Sequence, residues 1–125
     1  MKVGEIMTKD VVTLKLTQPI EEATMVLLRR HVHGAPVVDD DGRLVGMLNF
    51  MDLKRHAGEE RMVRDVMWPA AAVEEDAPIQ EVAAKMLEEK VRRVVIVRRG
   101  QVVGIVSATD VVRLFLDLHE EPRRG

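Results

Sequence analysis

The chain is one pattern written twice. Val3-Gly4-Glu5-Ile6-Met7 returns as Val63-Arg64-Asp65-Val66-Met67 at an offset of 60. Gln18-Pro19-Ile20-Glu21-Glu22 returns as Ala77-Pro78-Ile79-Gln80-Glu81 at 59, and Gly42-Arg43-Leu44-Val45-Gly46 as Gly100-Gln101-Val102-Val103-Gly104 at 58. The offset drifts by one residue per loop, so nearly every element has a counterpart. A unit of this length has too little core to be comfortable alone, and stacking it on a neighbour supplies the missing burial. The boundaries read as residues 1–60 for the first repeat, 61–120 for the second, and 121–125 for a polar, flexible tail.

Local signals give both copies the same elements. A β-prone run at 11–14 is answered weakly at 70–73. Thr17 and Asp76 are expected to cap helices that carry Pro19 and Pro78 in their first turn. Helix 20–31 places Ile20, Ala23, Leu27 and Leu28 on one face, and its counterpart places Ile79, Ala83, Met86 and Leu87. Paired strands follow at 35–39 with 44–48 and at 94–98 with 102–107, joined by Asp40-Asp41-Gly42 and Arg99-Gly100 turns. Final helices are expected at 50–57 and 108–119. The fold class is therefore α/β (α+β): two β-α-β-β-α repeats packed with pseudo-two-fold symmetry. Matching clefts would lie between the copies, where small ligands tend to bind.

Composition removes several functions. The 125 residues include no cysteine, which excludes disulfides and thiolate chemistry. Basic and acidic residues number 19 and 21, for a net charge of −2, and the aromatics are Phe50, Trp68 and Phe115. Nucleic-acid binders present a basic face with stacking platforms, so that function is disfavoured despite the local Arg92, Arg93, Arg98 and Arg99 cluster. The apolar runs are far too short to cross a bilayer, and the amino terminus has no signal-peptide core; a soluble, cytoplasmic protein is expected. No nucleophile–base pair or metal-ligand set stands out, since His31 and His33 lack a third ligand and residues 39–42 read as a turn. The chain does not read as an enzyme, and no catalytic or metal residue is assigned.

The segment richest in chemistry is Gly104-Ile105-Val106-Ser107-Ala108-Thr109-Asp110, with Gly46-Met47-Leu48-Asn49-Phe50-Met51-Asp52 as its counterpart. A strand ends, a small polar residue follows, and an aspartate comes three positions later at a helix start. One reading is a capping box. Another is a ligand cradle: free helix N–H groups and the Ser107 and Thr109 hydroxyls suit a phosphate, and a carboxylate such as Asp110 can accept from two ribose hydroxyls. Both can hold at once, because the cap positions the groups that would bind. Arg92 and Arg93 precede a strand bordering the cleft and could reach phosphates.

The duplication, the Met7-Thr8 opening, the strand Ala35-Pro36-Val37-Val38-Asp39 and the Gly-x-x-Ser-x-Thr-Asp segment together resemble the CBS domain, named after cystathionine β-synthase and found as tandem pairs called Bateman modules. The resemblance covers essentially the whole chain. It implies a regulatory module that binds AMP, ADP, ATP or S-adenosylmethionine between the repeats, with no cofactor required. Asp110 would hold the ribose, and the backbone of Val94 and Ala35 would meet adenine. The second copy keeps Ser107, Thr109 and Asp110; the first has Asn49, Met51 and Asp52 and loses both hydroxyls, and its near-neutral chemistry suits weak binding. Trp68 stands where the first copy has Thr8, and reads either as a stacking or dimer-contact residue or as a packing residue. The resemblance also implies a homodimer, which apolar Leu114, Phe115, Leu116 and Leu118 favour, and a regulated partner protein. The alternative is an interaction module that controls a partner enzyme or transporter with little ligand binding.

Overall fold

The computed structural model describes residues 1–118, so the expected tail at 121–125 lies outside the described residues. Two three-stranded sheets form, each with a parallel pair followed by an antiparallel pair. The first sheet is β1 (Leu14–Lys15), β2 (Gly34–Val38) and β3 (Leu44–Asn49), with α1 (Ile20–Arg30) and α2 (Phe50–Arg55). After a four-residue α3 (Val63–Val66), the second is β4 (Ala72–Glu74), β5 (Arg93–Arg98) and β6 (Gln101–Ser107), with α4 (Ile79–Glu89) and α5 (Ala108–Leu118). Arg99 and Gly100 both have positive φ, 52° and 82°, as a two-residue hairpin turn between right-twisted strands requires. The first strand begins at Leu14, later than the β-prone run at 11–14 suggests, because parallel pairing with β2 starts at Leu14 opposite Val37.

The equivalent helices α1 and α4 bury the same ridge. In α1 it is Ile20, Ala23 and Leu27. In α4 the matching positions are Ile79, Val82 and Met86; Val82 is fully buried and the other two pack on the second core. Leu28 and Leu87 stand one position past the ridge, so they are 50% and 81% exposed rather than on the buried face. The expected caps also differ. Thr17 and Asp76 do not cap; Pro19 and Pro78 occupy the N-cap positions in extended conformation with no side-chain cap bond. The first helical N–H groups are satisfied from the other end of the molecule: Ile20 donates to the Arg61 carbonyl at 3.0 Å, and Ile79 to the Met1 carbonyl at 3.1 Å.

That exchange runs through the whole fold. Val3, Ile6 and Met7 belong to the core of the second sheet, and Val63, Val66 and Met67 to the core of the first. The lead-in of each copy therefore completes the other. Isolated backbone bridges repeat the exchange in symmetry-related pairs: Lys2 with Pro78 and Met62 with Pro19, Thr8 with Ile105 and Trp68 with Met47. Arg43 with Gln101 pairs two equivalent positions and so marks the pseudo-two-fold axis. Glycine makes the approach possible. A Cβ on Gly104 would overlap the Met7 sulfur, and one on Gly46 would stand 2.6 Å from the Met67 sulfur and 3.0 Å from the Trp68 carbonyl oxygen.

Because Met7 also lies within 3.0 Å of that Cβ through its own Cβ, rotating its side chain away is not enough. Gly104→Ala should destabilise the protein by roughly 1–3 kcal/mol, the usual cost of overpacking. Urea unfolding of the two proteins measures it, and an unchanged midpoint would show that the segment is not seated tightly.

Candidate functional site

The two helix starts are built alike. At α5, the Ser107 N–H donates to Asp110 Oδ2 at 2.8 Å and the Asp110 N–H donates to Ser107 Oγ at 3.2 Å, a reciprocal capping box. At α2, the Asn49 N–H donates to Asp52 Oδ2 at 3.2 Å. Each aspartate lies beside the arginine three residues on: Asp110 Oδ1 is 3.8 Å from Arg113 and Asp52 Oδ1 is 3.7 Å from Arg55. A carboxylate has about four acceptor sites, so one capping bond leaves Asp110 capacity for further donors. Its side chain is 27% exposed, which leaves it open to a ligand. Thr109 is exposed on the first turn of α5.

Val94 and Ala35 are fully buried in the second and first cores, so each can offer only backbone. Arg93 does not stay within its own copy. It pairs with Ser107 in the sheet register, yet its guanidinium donates across to Asn49 Oδ1 of the first copy at 3.4 Å. Thr8 crosses the other way: it exchanges two backbone bonds of 3.0 Å with Ile105, two residues before Ser107. Trp68 does the same with Met47, two residues before Asn49, at 2.8 and 2.9 Å, and its side chain is 58% exposed. Hence Thr8 joins the helix start that retains Ser107, Thr109 and Asp110, while Trp68 joins the one with Asn49, Met51 and Asp52.

A cavity of about 250 Å³ opens beside Asn49 and is lined by Met47 and Asn49 from one copy and by Pro69, Lys90, Arg92 and Arg93 from the other. The near-neutral character expected of the first copy's cleft is therefore wrong. Its own segment is neutral, but the second copy borders it with three cations. Lys90 was missed because its cleft is invisible until the copies interlock; the repeat offset alone would have placed it opposite His31. The lowered pKa of the Glu75 carboxyl, caused mainly by its hydrogen bond from Arg98, lies at the hairpin end of β5, away from these clefts. A lowered carboxyl pKa contributes stability above the unfolded value and loses it as pH falls through the folded one, so this pair stabilises at neutral pH and its contribution disappears on the acid side. Among the described residues no His, Cys, Asp and Glu group is placed to hold a metal ion, and no helix is long and apolar enough to cross a membrane.

Two interlocked β-α-β-β-α units with paired helix starts define a class of tandem α/β repeat modules. The CBS domain model matches residues 3–59 and 63–117, and the chain belongs to the CBS domain family. A protein of Methanocaldococcus jannaschii, MJ1225, is 32% identical over 118 residues, covering 90% of this chain and 42% of the relative. The chain spans only 23% to 42% of the length of the first curated relatives it matches. Among solved structures, the CBS domain pair of protein MJ0100 in complex with 5′-methylthioadenosine and S-adenosyl-L-methionine superposes with a TM-score of 0.84 at 30% identity, covering 94% of this chain and 98% of the other. CBSX2 in complex with AMP gives 0.82 at 28% identity, with 95% and 98% covered.

The structural half of the capping box can be tested without any ligand. Ser107→Ala removes the acceptor for the Asp110 N–H and should cost about 1 kcal/mol. Thermal unfolding of the unliganded protein measures it, and a loss well above that would mean Ser107 supports more than the helix start.

Proposed function

We propose that this chain is a regulatory module that binds an adenosine-containing small molecule, with the better site beside Thr8, Ser107, Thr109 and Asp110. The observation that carries this reading is the near-complete coverage, in both directions, of CBS pairs solved with adenosyl ligands, together with the intact hydroxyl and carboxylate set at α5. Asp110 accepts the ribose hydroxyls, the backbone near Val94 and Ala35 meets the base, and the first turn of α5 faces the tail. AMP, ADP, ATP and S-adenosylmethionine are the candidate ligands. The module catalyses nothing itself: ligand stabilises one arrangement of the two repeats, and a partner surface reads the change.

Ligand at about 100 times its dissociation constant adds roughly 2.7 kcal/mol of stability, so melting with a millimolar adenosyl panel should shift upward. Asp110→Asn preserves size but removes charge-assisted bonds worth about 1.5–3 kcal/mol each, and calorimetric affinity should fall about tenfold or more. Asp52→Asn should cost less for the ligand bound at α5. No shift with any panel member would favour the alternative, an interaction module for a partner enzyme or transporter.

We also infer a homodimer. On α5, Val112, Leu116 and Leu118 are 57%, 61% and 66% exposed, with Leu87 of α4 at 81%. α4 and α5 pack on one another, and Val112 and Leu116 stand four residues apart on one face of α5; exposed apolar side chains of this kind mark association. Light scattering should report twice the 14.1 kDa chain mass, and a monomer at micromolar concentration would refute it.

A further inference from the structure

The duplication supplies an internal control, because each cleft residue has a counterpart in the other copy. Lys90, Arg92 and Arg93, which line the cleft beside Asn49, correspond to His31, His33 and Gly34. Two cations are thus answered by imidazoles and the third by no side chain. Lys9 does stand where the second copy has Pro69, but Asp10 follows it where the second copy has Ala70. Packing explains the glycine. A Cβ at position 34 would stand 2.6 Å from Asn49 Oδ1, the atom that accepts from Arg93. The Arg93–Asn49 contact and the small residue at 34 therefore belong together, and Gly34 cannot supply the reciprocal reach to Ser107.

No carboxylate lines the Asn49 cavity among the described residues, and its basic side chains come from a single short stretch, 90–93. The α2 helix has only six residues, so its dipole adds little, and any anion in this cleft must be held by side chains. At about 250 Å³ the cavity falls below the ~300 Å³ at which pockets usually enclose a small ligand. Both partners of the long, exposed Arg93–Asn49 bond line it, and a phosphate can exchange for Asn49 as the acceptor of that guanidinium.

Resting on the adenosyl-binding reading above, we propose that the two clefts differ in the charge they accept: the cleft of Asn49, Lys90, Arg92 and Arg93, with Asp52 at the α2 start beside it, takes a nucleoside di- or triphosphate, whereas the cleft of Thr8, Ser107 and Asp110, where imidazoles and a glycine replace those cations, takes an adenosyl ligand and gains little from added phosphates. One chain then compares two adenosyl pools rather than measuring one twice. Charge-assisted contacts to phosphate carry the first cleft, and salt screens them.

The test uses adenosine, AMP, ADP and ATP as probes in calorimetric titrations of the full chain. In Asp110→Asn, which leaves the Asn49 cleft intact, affinity should rise along that series, with ATP about tenfold or more tighter than adenosine, and the ratio should shrink as ionic strength rises. Lys90→Asn with Arg92→Gln should bring the ratio close to one; asparagine is chosen because Lys90 has a φ of 54°, which asparagine tolerates. In Asp52→Asn the remaining cleft should show little preference for added phosphates. Adenosine bound in Asp110→Asn with no gain from phosphates would overturn this proposal alone. Binding of no probe by any form would overturn the adenosyl reading and this proposal with it.

Discussion

Everything in this molecule depends on the seating of each lead-in segment against the other repeat's last strand. Gly46 and Gly104 are the points of contact, and a side chain there would occupy the space of Met67 or Met7. The seat has three consequences. It places Val3 and Val63, both fully buried, in cores built by the opposite copy, and it lets the first N–H of α1 and α4 find a carbonyl beyond its own helix. It also carries Thr8 to the edge of β6 and Trp68 to the edge of β3. Neither repeat contains its whole core, so the two should fold as one cooperative unit.

The same exchange decides what each cleft is made of. A helix start and its aspartate come from one copy, and the lining opposite comes from the other. Hydroxyls concentrate at α5, where Thr8 pairs with Ile105 two residues before Ser107; cations concentrate near α2, where Lys90, Arg92 and Arg93 line one cavity with Asn49. Duplication produced two equivalent frames, and divergence at a handful of positions gave them different chemistry. The glycine at 34 shows how tightly such differences are linked, since the Asn49 side chain fills the place that any larger residue would need.

Capping and ligand recognition do not compete at Asp110. One oxygen accepts the Ser107 N–H, and the rest of the carboxylate stays partly open beside Arg113. A cap of this kind locks the rotamer of a group that must accept further hydrogen bonds, which reduces the entropy lost when a ligand arrives. No polar or charged side chain is buried among the described residues, so the fold rests on apolar packing and backbone bonding, and its polar groups are left at the clefts and surface.

The sequence by itself determined the duplication, the β-α-β-β-α order, the hairpin turns and the Ser107–Asp110 box, because each is encoded within a few residues of the chain. Periodicity gave Ile20, Ala23 and Leu27 of α1 but added the exposed Leu28, and in α4 it chose Leu87 where Val82 turns inward; a 3.6-residue period leaves one position of uncertainty in the direction of a face. Thr17 and Asp76 looked like caps because capping preferences are local, while the real partners of those helix starts, the carbonyls of Arg61 and Met1, are more than 40 residues away or in the opposite lead-in. The composition of the clefts was decided only by tertiary structure. Reading each repeat as its own unit assigned Thr8 to the first copy and Arg93 to the second, and the interlock reversed both, since contacts between segments 44 to 97 residues apart leave no trace in local pattern.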